Sequence, residues 1–297
     1  MGLEPRHGSG DSVEPSPEYA TFTSAAYVPT TDGEAAQATA GWLEAQALHP
    51  FIREVSGKSL ARLALQPGES VLEVGCGTGV FLPGLAALVG RSGRVVGLDH
   101  APAFLAEARN RLAAADLSEA VDLVEGDVHR LPIDDASFDA VHCERVLMHV
   151  EDPAAAIGEL RRVLRQGGRA VVAEIFAAGA TMETPDPDTN RQIERSLVSG
   201  IRNGQMGIQL RRLMIKAGFV DVDGEVVGYF ETELDQDEAD EYARIARELA
   251  AQGTLDPGRS EAAIAAVEER RATGTHCGIA LMVLVSGRVP RGDRDGD

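Results

Sequence analysis

Residues 71–79 read VLEVGCGTG, and no other stretch constrains the fold as tightly. Residues 71–74 are an apolar run of the kind that forms a short buried strand. The run stops at three glycines on alternate positions, Gly75, Gly77 and Gly79. Phe81, Leu82, Leu85 and Leu88 then recur at helical spacing. The spacing predicts a strand, a tight glycine turn and the start of a helix. Glycines in such a turn adopt positive φ and let a ligand lie against bare backbone. The new helix adds unpaired N–H groups and the positive end of its dipole.

The interval between glycines selects the ligand. A dinucleotide fingerprint is G-x-G-x-x-G, and here Val80 stands where its third glycine belongs. No lysine follows in the P-loop position, which argues against a nucleoside triphosphate. A second apolar run, 94–98, ends at Asp99. That acid falls about twenty residues past the turn, where a carboxylate grips ribose hydroxyls. A third run, 121–125, leads into Gly126, Asp127 and Val128. Further strands are expected near 138–143 and 169–175, and helices near 79–89, 102–114 and 153–164. This alternation predicts an α/β fold, a doubly wound parallel sheet with helices on both faces.

Composition excludes several partners. The chain has 297 residues, 44% of them hydrophobic, enough for one large α/β domain with elaborations. Its formal charge of −19 repels phosphate backbones and anionic bilayers. No nucleic-acid and no membrane partner is therefore expected. Cys76, Cys143 and Cys277 are far apart and form no metal-type pair, so no metal is expected. The N-terminus has no apolar leader core, and a cytoplasmic protein in a reducing compartment is expected.

Residues 1–18 are rich in Gly, Ser, Pro and Glu and are expected to be a disordered tail. Residues 19–65 read as an N-terminal helical cap segment, with helices over 34–48 and 51–65 parted by His49 and Pro50. Residues 66–176 carry the ligand-binding core. Residues 177–290 carry the rest of the core with two insertions, 177–207 and 234–273, and 291–297 are expected to form a loose tail.

Taken together, VLEVGCGTG (71–79), VVGLDH (95–100), VEGDVHRLP (124–132), FDAVHCERVLMHVEDP (138–153) and ELRRVLRQGGRAVVAE (159–174) resemble the class I S-adenosylmethionine (SAM)-dependent methyltransferases. The resemblance covers roughly 60–290 and is strongest to the branch that methylates small molecules, such as quinone precursors, sterols and natural products. It implies a Rossmann-like seven-stranded sheet, ordered 3-2-1-4-5-7-6 with strand 7 antiparallel and helical cap segments over the substrate, the insertions 177–207 and 234–273 among them. It also implies SAM as cofactor, S-adenosylhomocysteine as its product, and a small-molecule methyl acceptor. A homodimer is compatible with it.

Residue roles follow from the same resemblance. Gly75, Cys76, Gly77 and Gly79 would admit the methionine part of the cofactor, and Glu73 would support its amino end. Asp99 would hold the ribose, with Asp127 and the Val128 amide on adenine and His100 and Leu105 on its faces. Cys143 would touch the amino acid moiety, and Tyr27 would close over its carboxylate. His149 is the first choice for a base that takes the acceptor's proton, and Glu144 the second, able to orient an acceptor or to pair with Arg145. Met148, Met182, Met206 and Met214 are candidates for an apolar pocket wall. The acceptor atom, O, N or C, is not specified by these motifs. An alternative from another class keeps the same glycine turn: an enzyme of this fold that uses the cofactor structurally for a cyclisation or rearrangement.

Overall fold

The computed structural model describes residues 33–292. Two helices lead in, α1 (Gly33–Leu48) and α2 (Pro50–Leu63). His49 caps α2, its Nδ1 accepting from the Phe51 amide, and Pro50 takes the first helical position, where a missing N–H costs nothing.

The core then alternates as its hydrophobic pattern requires: β1 (Ser70–Val74), α3 (Leu82–Val89), β2 (Arg94–Asp99), α4 (Pro102–Ala114), β3 (Val121–Glu125), β4 (Phe138–Glu144), α5 (Pro153–Arg162) and β5 (Leu164–Ile175). Next come β6 (Thr181–Met182), α6 (Pro187–Ser199), α7 (Met206–Lys216), β7 (Val220–Glu231), α8 (Gln236–Ala251), α9 (Pro257–Thr273) and β8 (Gly278–Arg288). The sheet runs β3-β2-β1-β4-β5-β8, with β7 on the far side of β8. Strands β1 to β5 are parallel, and β8 is antiparallel to both β5 and β7. This is the expected order with one addition. The two-residue β6 continues the line of β5 after a single 3-10 turn, pairing Thr181 with Ile279 and Met182 with Gly278.

Two predicted connections differ. The expected turn at Gln166, Gly167 and Gly168 lies inside β5, where the pairing with β4 slips between Phe138 and Ala140. The expected loop before α6 is shorter than its prolines imply, because Asp186 and Pro187 are a cap and first residue and not a break. The Asp186 carboxylate accepts from the Thr189 amide.

Apolar side chains on each face of the sheet make a separate core. One holds Leu72, Val96, Ile157, Leu160, Leu210 and Met214; the other holds Val71, Leu82, Leu85, Val95, Leu105 and Leu112. A third cluster lies apart from both and joins α6, α8 and α9 through Ile193, Tyr242, Ala246, Leu249 and Val267. That cluster falls in the segments expected to form the cap. No helix of the described residues is long and apolar enough to cross a membrane.

Candidate functional site

A cavity of about 590 Å³ opens at the carboxyl ends of β1, β2 and β4, where the order of the parallel strands reverses and ligands of such sheets collect. Its size is in the range of sites for small molecules and cofactors.

The floor is the glycine turn. Gly75, Gly77 and Gly79 all have positive φ, at 72°, 53° and 78°. The amides of Gly75 and Cys76 both donate to Leu98 O, at 2.8 and 2.9 Å, which ties the turn to β2. A Cβ on Gly75 would lie 2.2 Å from Val146 Cγ2, so this glycine admits the chain after β4. Gly79 does not line the cavity. A Cβ there would meet Ala108 at 3.0 Å, so Gly79 serves the packing of α4.

Asp99 stands at the end of β2. Its Oδ2 accepts from the Gly77 amide at 2.8 Å and its Oδ1 from the Ala101 amide at 2.9 Å. The carboxylate is thereby fixed at the cavity wall with lone pairs to spare. His100 Nδ1 lies 3.4 Å from it, and this contact lifts the imidazole above its ordinary pKa. Thr78 Oγ1, also on the wall, is buried with no hydrogen-bond partner among the described residues. A buried hydroxyl left unpaired needs a partner from outside the chain.

Asp127 closes a small turn, accepting from the His129 amide at 2.9 Å and facing His129 Nδ1 at 2.7 Å. The same imidazole accepts from the Asp152 amide through Nε2, so His129 bridges two walls. Val128 and His129 line the cavity beside Phe104. Leu105, the expected neighbour, is buried in the core, because the inward face of α4 falls one residue earlier.

The chain after β4 supplies the opposite wall with Glu144, Arg145, Val146, Met148 and His149. Glu174, at the end of β5, shapes this segment. Its carboxylate accepts from three successive amides, those of Val146, Leu147 and Met148, at 3.0, 2.5 and 3.3 Å. Burial pushes its pKa up to about 8 against the pull of those donors. Asn203 ties the same segment to the cap. Its Nδ2 donates to Leu147 O at 2.9 Å and Val150 O at 2.8 Å. Ile175, Ala177 and Ile201 complete an apolar end.

His149 lines the cavity, and burial, aided by Arg145 and His100, lowers its pKa to about 4. It is therefore a neutral imidazole at physiological pH. Burial raises the Glu144 pKa despite Arg145 and His142. Its Oε1 lies 3.0 Å from Ser56 Oγ.

Besides Gly79, two expected site residues stand elsewhere. Glu73 is turned away from the cavity by strand alternation, and its Oε2 lies 2.7 Å from His142 Nδ1. His142 Nε2 in turn meets Ser59 Oγ at 2.7 Å. Burial alone would lower the His142 pKa, but the charge and hydrogen bond of Glu73 outweigh it and leave it raised. Cys143 is fully buried in the sheet core, where burial drives its thiol pKa well up. Tyr27 lies outside the described residues. Of the four methionines only Met148 is a wall residue; Met206 and Met214 pack in the core and Met182 against the cap cluster.

Glu174, Asn203, Thr78, Phe104, Ser56 and Ser59 were not marked by sequence as part of this arrangement. The serines had a signal: they fall on the apolar stripe of α2, between Val55 and Leu63, where a polar residue requires a buried partner.

A family model for a methyltransferase domain matches residues 72–172. An uncharacterized 37.1 kDa protein in transposon TN4556 of Streptomyces fradiae is 41% identical over 60% of this chain and 51% of its own length. The demethylmenaquinone methyltransferase of Shouchella clausii is 37% identical over 39% of this chain and 49% of its own. The chain thus spans about half the length of the curated relatives it matches. Among solved structures, a SAM dependent methyltransferase from Aquifex aeolicus superposes over 85% of this chain and 97% of its own, with a TM-score of 0.51 at 17% identity. That likeness is one of fold.

Proposed function

We propose that the chain is a class I SAM-dependent enzyme that transfers a methyl group from SAM to O, N or C of a small organic molecule, in quinone-type or natural-product biosynthesis; the match of residues 72–172 to a methyltransferase domain supports this reading. One observation carries the reading: a carboxylate pinned by two backbone amides at the end of β2, one of them that of Gly77, next in the chain to Thr78, whose hydroxyl is unpaired among the described residues. A ribose diol fits the first, and the amino acid end of the cofactor fits the second.

Bound SAM supplies a methyl carbon already activated by its sulfonium. The chain then has to hold the acceptor in line at about 3–3.5 Å and keep water out. Asp99 would hold the sugar, and Phe104 and Val128 would offer apolar surface to the base. Met148, Ile175, Ala177 and Ile201 dry the acceptor end. His149, uncharged at neutral pH, accepts a proton from an acceptor that ionises as it reacts. Glu144, on the same wall and hydrogen-bonded by Ser56, is the second candidate for this role.

Incubation with methyl-labelled SAM and a panel of quinols, phenols and amines tests the proposal. Label is expected in an organic product, with S-adenosylhomocysteine formed in equal amount. Tight SAM binding with conversion of an acceptor and no label transfer would establish the rearrangement alternative instead.

A further inference from the structure

Arg145 lines the cavity with a buried donor that is unsatisfied among the described residues. Its guanidinium makes no hydrogen bond among the described residues, its Nε is buried without a partner, and its side chain is 16% exposed. A guanidinium held mostly buried in the cavity wall with its Nε donor unsatisfied is a costly arrangement, tolerated where a ligand completes it. The nearest carboxylate, Glu144, stays 3.7 Å from Nε, beyond hydrogen-bond reach.

The backbone is also set for this placement. Arg145 has φ +58°, a left-handed conformation that non-glycine residues rarely take. Its amide donates to Ala173 O at 2.9 Å, and Glu174 pins the next three amides. Strain of this kind, over-determined by neighbours, gathers at functional positions. The Ala173 bond anchors Arg145 on the β5 side of the cavity, the side continued by Ile175 and Ala177. Thr78 lies on the β1 side, where its unpaired hydroxyl is the group left for the cofactor's amino acid end, the amides of Gly75, Cys76, Gly77 and Gly79 being engaged within the chain.

We propose that Arg145 is the anchor for an anionic acceptor, so that the methyl acceptor is an apolar molecule bearing a carboxylate or comparable acid group. The inference rests on the methyltransferase reading and names its substrate class. A guanidinium fork accepts a carboxylate with two parallel hydrogen bonds. The apolar wall of Met148, Ile175, Ala177 and Ile201 takes the rest of the molecule.

Calorimetry on the full chain saturated with S-adenosylhomocysteine tests this with matched probes, 1-naphthoate against 1-naphthamide and octanoate against octanamide. Each acid is expected to bind the wild type about tenfold or more tighter than its amide, the scale of a hydrogen bond to a charged group. Arg145→Met is expected to erase that preference and leave S-adenosylhomocysteine affinity unchanged, and Arg145→Lys to retain part of it. No preference for the acids in the wild type, including no binding of any probe, overturns the proposal without any variant. So does a preference that survives in Arg145→Met. Loss of S-adenosylhomocysteine binding in Arg145→Met, with 5′-methylthioadenosine still bound, would assign Arg145 to the cofactor's carboxylate and overturn it as well. Failure of the wild type to bind S-adenosylhomocysteine at all would instead sink the methyltransferase reading, a separate result.

Discussion

The two ends of the cavity are built in opposite ways. At the β1–β2 end the working parts are set by backbone: a glycine turn clamped to Leu98 O, and one side-chain carboxylate held in place by two amides. At the cap end they are side chains brought from distant segments, with Asn203 and Ile201 meeting a loop more than fifty residues away. Backbone geometry repeats wherever the strand-turn-helix repeats, so it holds a cofactor common to many proteins. Side-chain geometry changes with single substitutions, so it is free to suit one acceptor.

Breaking the first end should give the largest effect. Asp99→Ala removes the ribose acceptor and leaves the Gly77 and Ala101 amides without their partner. S-adenosylhomocysteine affinity is expected to fall by about a hundredfold or more, from the loss of charge-assisted hydrogen bonds. Unchanged affinity by calorimetry would remove the ribose assignment and with it the distinction between the ends. Gly75→Ala attacks the same end through sterics. Its Cβ would enter at 2.2 Å from Val146 Cγ2, at a φ of 72°. A loss of about 2–4 kcal/mol is expected in urea unfolding, from left-handed backbone strain added to overpacking. A stability within error of wild type would mean that the two walls are not locked through this contact.

The same contrast explains what sequence alone revealed. Asp99, Gly77 and Cys76 come from one strand-turn-helix and the strand that follows, so periodicity and spacing reach them. The sheet order was implied by family likeness, and only the short β6 was added to it. Glu73 and Cys143 were misplaced because a motif gives a position along a strand, while the pleat decides which face a side chain takes. Leu105 failed in favour of Phe104 for the helical version of that reason. Glu174 and Asn203 carry no local signature at all. Their roles exist only once β5 lies beside β4 and the cap insertion folds back, contacts that no local pattern encodes. Arg145 does sit beside Glu144, as the sequence allowed, but only the packed structure shows that the 3.7 Å contact leaves its Nε buried without a hydrogen bond.

The seam between the ends is the next place to probe. Asn203→Ala deletes both hydrogen bonds to the 147–150 segment and leaves Leu147 O and Val150 O without that donor. A loss of about 1–3 kcal/mol is expected in urea unfolding. If the ends are independent, S-adenosylhomocysteine affinity stays within about twofold while acceptor turnover falls. A parallel loss of cofactor affinity would mean that the cap also shapes the sugar site.

The smallest effect should come from the cap's own core, and it sharpens the comparison most. The Tyr242 hydroxyl donates to Asn190 Oδ1 at 3.0 Å, and Asn190 Nδ2 donates to Met182 O at 3.0 Å and to Glu194 Oε1 at 2.7 Å. This chain of bonds joins α8, α6 and β6 in a cluster that shares none of its buried residues with the sheet cores. Tyr242→Phe keeps the ring and its packing and leaves one buried amide oxygen without its donor. The expected loss is about 1 kcal/mol, near the usual net value of a single buried hydrogen bond. Because Tyr242 touches neither wall of the cavity, cofactor affinity should not move. A drop in that affinity would show that the cap and the sheet edge respond as one unit, in which case acceptor preference could not be altered through the cap without also disturbing the cofactor.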